Sequence, residues 1–105
     1  MTNSRQKGKR IERSLVRLCR DEGYTARRGQ QYAGGTDSPD VIVDELPFIH
    51  FEAKGGKRIS ILDAIDQAQR DCGDKLPVVA FKYDRCGWNF AMPAHVFFAL
   101  VREAL

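Results

Sequence analysis

Apolar residues recur along this chain with two spacings, one typical of helices and one typical of strands. Ile11, Leu15 and Leu18 follow the three- and four-residue spacing of a helix, which we predict over residues 9–22 with Gly23 at its end. Short runs of β-branched and aromatic residues predict five strands. We predict the strands at residues 24–28, 41–43, 48–54, 77–81 and 88–92, and further helices at residues 60–72 and from residue 93 to the C-terminus.

This order of elements is typical of a single α/β domain. We predict a mixed β-sheet flanked by helices on both faces, with the apolar fourth strand inside the sheet and the fifth near an edge. A chain of 105 residues has room for one core. We assign the domain to residues 9–105 and expect the polar residues 1–8 to be flexible.

Composition excludes several classes of protein. Hydrophobic residues make up 43% of the chain and charged residues 30%, which fits a soluble globular protein. No apolar run approaches the roughly 20 residues that a membrane span needs, and the N-terminus is too polar and basic for a signal peptide. Cys19, Cys72 and Cys86 lack the paired spacing of a disulfide framework or zinc site, so we expect a reducing cytoplasm.

The charge of the chain is unevenly distributed. Residues 1–31 hold nine Lys and Arg against three Asp and Glu, whereas the remainder holds eight against eleven. A basic first third indicates a polyanionic partner, although a solvated basic face is an equally common explanation.

The predicted hairpin at residues 38–54 places charges beside apolar strands. Asp40 stands at the head of its first strand, and Glu52 and Lys54 at the tail of its second. Glu52 and Lys54 are two residues apart and therefore share a face with His50. Charges in such places are costly unless they are paired or bind a metal. The pattern suggests a divalent-metal site for phosphate chemistry. His50 lies either beside the path of the water or, as we favour, in the core as a hydrogen-bonded residue.

Two further features bear on this site. On a helical wheel Glu12 falls at the edge of the apolar stripe of the first helix, where it is either a site residue or the salt-bridge partner of an arginine. The polar loop at residues 29–38, with Gly34, Gly35, Thr36 and Asp37, is either a turn or a segment that approaches a phosphate closely.

The hairpin resembles the motif of the PD-(D/E)xK nuclease superfamily. The similarity rests on Pro39-Asp40 and Glu52-Ala53-Lys54, on two consecutive predicted strands and after a helix carrying Glu12. It implies a restriction-endonuclease-like fold, and the chain is most similar to archaeal-type Holliday junction resolvases and viral replication and repair nucleases. Those enzymes also have a glutamine on the helix behind the lysine strand, for which we favour Gln67 over Gln69.

The resemblance implies a Mg²⁺-dependent endonuclease, in which Mn²⁺ substitutes. Asp40, Glu52 and the Ala53 backbone carbonyl would bind the metal, and Glu12 would reach it through water. Lys54 would orient the attacking water and stabilise developing charge, unless it is only a salt-bridge partner of Glu52. Gln67 completes the predicted catalytic set.

The implied substrate is branched or structured DNA, cut with little base specificity. A junction resolvase needs two active sites, so we expect a homodimer formed through Phe97, Phe98 and Val101. We expect it in a bacterial, archaeal or phage-infected cytoplasm. The alternatives are a nicking or flap nuclease and a non-catalytic nucleic-acid-binding module. The predicted phosphate contacts are Arg10, Arg13, Arg17, Arg27, Arg28, Lys57 and Arg58.

Overall fold

The computed structural model describes residues 4–29 and 38–104 of the chain. These residues form the predicted sequence of elements: α1 (Ser4–Asp21), β1 (Ala26–Arg28), β2 (Val41–Val43), β3 (Ile49–Gly56), α2 (Ile61–Asp71), β4 (Leu76–Tyr83), β5 (Asn89–Ala91) and α3 (Ala94–Ala104). The predicted polar loop around Gly34, Gly35, Thr36 and Asp37 lies outside the described residues.

The five strands form one mixed sheet in the spatial order β1-β2-β3-β4-β5. Strands β3 and β4 are parallel, and the other neighbours are antiparallel. Parallel neighbours require a crossover connection, which α2 supplies between β3 and β4. As predicted, β4 is interior and β5 lies at an edge of the sheet.

Helices cover both faces of the sheet, which confirms the predicted layers. Successive residues of β4 point to opposite faces, so Val78 and Val79 belong to different apolar clusters. The larger cluster joins the sheet to α1 and α3 through Leu15, Val16 and Val96. The smaller cluster joins Val79 to α2 through Ala64 and Ala68. The face covered by α2 also carries the charged residues of β3.

Four predicted boundaries were wrong by two residues or more, including β1, which begins at Ala26 and not at residue 24, and β4, which ends at Tyr83 and not at residue 81. Helix α1 begins at Ser4 and not at residue 9. The prediction placed its start too late because the first turns lack the apolar spacing from which a helix is inferred. Strand β3 does not end before Gly55 but continues to Gly56, since both glycines pair with β4. A Cβ on Gly55 would collide with the side chain of Ile11, so this glycine permits the close crossing of α1 over β3.

The remaining helix ends show smaller differences. Ser60 stands before α2 with an extended backbone, as expected for an N-cap, but its side chain makes no capping hydrogen bond.

In α3, Val96 is fully buried, whereas Phe97 and Phe98 are 52% and 57% exposed. Among the described helices, none combines the length and apolarity needed to cross a membrane.

Candidate active site

Strand β3 and the start of β2 bring two carboxylates together. His50, Glu52 and Lys54 alternate with core residues and face α2, while Asp40 immediately precedes β2. Asp40 is 8% exposed and Glu52 3% exposed, so both carboxylates lie largely out of water. The predicted convergence of these two side chains is what the structure shows.

The backbone holds Asp40 in place from both neighbouring strands. Its N–H donates to the Phe51 carbonyl at 2.9 Å, and its carbonyl accepts from the Gly29 N–H at 2.9 Å. Any side chain at position 29 would collide with the Pro39 carbonyl, so only glycine fits beside this turn. The Ala53 N–H then donates to Asp40 Oδ2 at 2.9 Å. Asp40 is therefore fixed at its main chain and at one side-chain oxygen.

Crowding of acidic groups changes the ionisation of Asp40. Burial above all, then the charge of Glu52 and a hydrogen bond with its carboxyl, together raise the pKa of Asp40 to about 7, against the lowering effect of the Ala53 N–H. The charge of Glu12 adds a smaller increase. A cation bound beside Asp40 would take the place of the proton that this crowding favours.

The donors at this point fit a hard divalent cation. The carboxylates of Asp40 and Glu52 provide oxygen donors, and the backbone carbonyl of Ala53 provides another. The N–H and the carbonyl of a strand residue point to the same neighbouring strand. Because the Ala53 N–H points to Asp40, the Ala53 carbonyl lies on that side too. All of these donors are oxygen atoms, the ligands that Mg²⁺ prefers. Within residues 4–29 and 38–104, no three His, Cys, Asp or Glu side chains are grouped to hold one ion. A cation here would accordingly retain several water ligands.

Lys54 is positioned by α2. Its Nζ donates to Gln67 Oε1 at 3.2 Å, whereas Gln69 is exposed on another side of the helix. Of the two glutamines considered, Gln67 is therefore the one at the site. In the described part of the chain, Lys54 forms no ion pair with Glu52. Its side chain lines the same groove as Asp40 and Glu52.

Glu12 reaches the same groove but has a partner of its own. Its Oε1 accepts a hydrogen bond from Arg28 Nε at 2.9 Å, and its side chain is 15% exposed. This is the arginine pairing considered as the alternative for Glu12, and it also restrains Arg28, a predicted DNA contact. Both residues lie beside the carboxylate pair.

A groove of about 380 Å³ joins these groups. It runs between α1, β3 and α2 and is lined by Glu12, Asp40, Glu52, Ala53, Lys54 and Gln67 together with Lys7, Gly8, Ile11 and Gly55. Lys7 was not among the predicted site residues, because the polar start of α1 has no apolar spacing that predicts a helix. Lys7 places a second ammonium group at the mouth of the site.

The predicted DNA contacts fall into separate groups. A second groove on α1 and β1 is lined by Arg13, Arg17, Arg27 and Arg28 together with Arg20. Arg58 lines a third groove, beside Lys54 and Gln67, with the unpredicted Arg70. Arg10 and Lys57 are exposed outside these grooves, and Arg27 also pairs with Asp44. Basic side chains therefore flank the acidic groove on two sides.

His50 is 1% exposed, and its Nε2 lies 2.8 Å from Glu52 Oε1. The prediction of a hydrogen-bonded core histidine is confirmed, with one of the two candidate metal ligands as its partner. The alternation of faces along β3 predicts that His50 and Glu52 lie on the same side of the strand. It does not predict that the imidazole ring and the carboxylate are in contact.

Comparison with known proteins identifies the family. The model of the archaeal Holliday junction resolvase (Hjc) family matches residues 3–97. A solved structure of Hjc from Archaeoglobus fulgidus, a Holliday junction resolvase from an archaeal hyperthermophile, is 27% identical, with a TM-score of 0.57 over 82% of this chain and 72% of that one. No curated protein matches. The chain belongs to the archaeal Holliday junction resolvase family and is a resolvase-like nuclease of the restriction-endonuclease-like superfamily.

Proposed function

We propose that this nuclease is a Mg²⁺-dependent endodeoxyribonuclease that cuts four-way DNA junctions as a homodimer, with Mn²⁺ able to replace Mg²⁺. The observation that carries the proposal is the buried, hydrogen-bonded pair of Asp40 and Glu52, which lies beside Lys54 in an open groove. Two carboxylates crowded in this way are stabilised when a cation replaces the proton.

The protein contributes fixed oxygen donors to this chemistry. When bound, a divalent cation supplies a water molecule activated at neutral pH and stabilises charge on the reacting phosphate. Asp40, Glu52 and the Ala53 carbonyl would hold it, and Glu12 would contact its water ligands. Arg28 orients Glu12 and offsets its charge through their hydrogen bond.

Lys54 is assigned to the attacking water. Because Gln67 holds its Nζ, the ammonium group is oriented before the substrate arrives. A fixed positive charge at this place orients the water and stabilises the negative charge that develops on the phosphate oxygens. Gln67 is the positioning residue for Lys54 in this scheme.

The basic grooves provide a path for DNA. The arginine groove on α1 and β1 meets the acidic groove at Arg28 and Glu12, and the groove of Arg58 meets it at Lys54 and Gln67. We assign Arg10, Arg13, Arg17, Arg27, Arg28, Lys57 and Arg58 to phosphate contacts, with Arg20 and Arg70 added. Such contacts position the backbone without selecting bases.

The proposed dimer uses the exposed side of α3. Phe97 and Phe98 are in edge-to-face contact with ring centroids 5.3 Å apart, and more than half of each side chain is exposed. An exposed aromatic pair of this kind is typical of an interaction surface. Two copies related by a two-fold axis would present two sites to one junction, as paired incision requires.

Cleavage assays with matched variants test the proposal. The substrates are a four-way junction, a flap, an intact duplex and a single strand, each with Mg²⁺ or a chelator. We expect Mg²⁺-dependent cleavage of the junction, which Asp40→Asn, Glu52→Gln or Lys54→Ala abolishes without loss of junction binding. The control is Asp44→Asn, because Asp44 is exposed and follows the end of β2 that is remote from Asp40. Junction cleavage in the chelator, or by Asp40→Asn at the wild-type rate, would show the mechanism to be wrong.

The same assay separates the alternatives. A flap or nicking nuclease would prefer the flap to the junction, and a non-catalytic module would bind DNA without cutting any substrate. Membership of the resolvase family favours the junction, and the complete set of Asp40, Glu52 and Lys54 favours an active enzyme.

A further inference from the structure

His50 is buried beside the two candidate metal ligands. Among the described residues, the buried polar and charged side chains are Asp40, His50 and Glu52. His50 precedes Glu52 by two residues on β3, so both side chains leave the same face of the strand. A ring that is 1% exposed has lost its contacts with water and depends on partners within the protein.

The contact between the two residues has a defined direction when Glu52 is ionised. An ionised carboxylate accepts hydrogen bonds and donates none. The 2.8 Å contact between His50 Nε2 and Glu52 Oε1 therefore requires a proton on Nε2 in that state. It engages Oε1, and the Glu52 carboxyl is also hydrogen-bonded to Asp40, the second candidate ligand.

Asp40 is held in a comparable way. The Ala53 N–H donates to its Oδ2, and its carboxyl is also hydrogen-bonded to that of Glu52. Each carboxylate thus has one oxygen tied to a donor, a backbone group for Asp40 and an imidazole ring for Glu52. Glutamate has one more rotatable bond than aspartate, so Glu52 loses more side-chain freedom on binding an ion unless it is already fixed.

We propose that His50 is a positioning residue for Glu52, whose Nε2–H holds Oε1 and directs Oε2 to the cation shared with Asp40. The inference rests on the proposed function, because it requires Glu52 to bind a metal. Hydrogen-bond partners of metal ligands typically account for about 10- to 100-fold in metal affinity or activity. Loss of the His50 donor should therefore weaken cation binding by about 10-fold or more.

Two substitutions separate positioning from packing. His50→Phe keeps a buried ring but removes the donor, whereas His50→Gln keeps an N–H donor. The control is His95→Gln, because His95 is exposed on α3. Mn²⁺ binding to the DNA-free protein is measured by calorimetry, and the Mg²⁺ concentration for half-maximal junction cleavage is measured in parallel.

We expect His50→Phe to weaken Mn²⁺ binding and to raise the Mg²⁺ requirement by about 10-fold or more. His50→Gln should recover part of both losses, and His95→Gln should match the wild type. His50→Phe with wild-type Mn²⁺ affinity would overturn the role of His50 while leaving the proposed function intact. A wild-type protein that binds no Mn²⁺ would instead refute the proposed function.

Nuclear magnetic resonance of the wild type provides a test that does not depend on the folding of a variant. In the Mg²⁺-saturated protein, the ¹⁵N shifts of His50 should show a protonated Nε2, and Mg²⁺ should move the His50 signals but not those of His95. A neutral His50 ring protonated at Nδ1 and bare at Nε2 in the Mg²⁺-saturated protein would overturn the proposal.

Discussion

Replacing Asp40 with asparagine removes a charge that the folded protein accommodates poorly without a cation. Burial and the neighbouring Glu52 raise the pKa of Asp40 from 3.8 to about 7. Between these values the folded state binds more protons than the unfolded state, so stability falls as the pH rises through this range and is lowest above it. At about 1.4 kcal/mol per pH unit, the full difference corresponds to about 4 kcal/mol.

Asparagine has nearly the same shape, and its carbonyl oxygen can accept the hydrogen bond from the Ala53 N–H. The variant should therefore keep the local structure and lose the cost of ionisation. Allowing for relaxation around the pair, we expect Asp40→Asn to raise the free energy of unfolding at pH 8 by about 2–4 kcal/mol. At pH 4 the two proteins should differ little.

Urea unfolding in a chelator at several pH values measures this effect. Mg²⁺ should then stabilise the wild type at pH 8, because it binds only the folded pair, and should stabilise Asp40→Asn much less. The control Asp44→Asn alters an exposed carboxylate and should change stability by less than about 1 kcal/mol. Parallel pH dependences of stability for the wild type and Asp40→Asn would refute the reasoning.

Three further predictions concern the surroundings of the site. Gly55→Val should cost about 1–3 kcal/mol in thermal unfolding and reduce cleavage, because its side chain would collide with Ile11 and push α1 away from β3; unchanged stability would contradict this. Arg13→Ala should reduce the slope of the logarithm of the junction-binding constant against the logarithm of the salt concentration by the amount that one phosphate contact contributes. An unchanged slope would show that Arg13 does not contact the DNA. Phe97→Asp combined with Phe98→Asp should give a folded monomer by light scattering, whereas a persistent dimer would place the interface elsewhere.

Much of the fold follows from local patterns in the sequence. Alternating faces and helical spacing predicted each described element, because these patterns record which side of an element is buried. The same reasoning failed at Ser4 and at Gly56. The first turns of α1 bury no regular apolar stripe, and the glycines of β3 have no side chains from which a face can be inferred. Both errors occur where α1 passes over β3.

The site was predictable to a similar extent. The alternation of β3 places Glu52 and Lys54 on one face whatever the rest of the fold does. The choice of Gln67 over Gln69 depends on how α2 is rotated over the sheet, and the helical wheel contains no such information. The pairing of Glu12 with Arg28 likewise joins α1 to β1 across 16 positions in the chain, so it is a consequence of tertiary structure.

The position of the site also follows from the main-chain hydrogen bonds of the hairpin. Strand β2 begins only at Val41, and the residues before it enter through Pro39, which has no N–H to give to a neighbour. Beyond this point β3 continues without a backbone partner from β2, and a buried N–H must find an acceptor elsewhere. For Ala53 that acceptor is the side chain of Asp40. The Ala53 carbonyl points to the same side as the Ala53 N–H, so one interruption of the ladder both fixes the carboxylate of Asp40 and provides a backbone oxygen beside it.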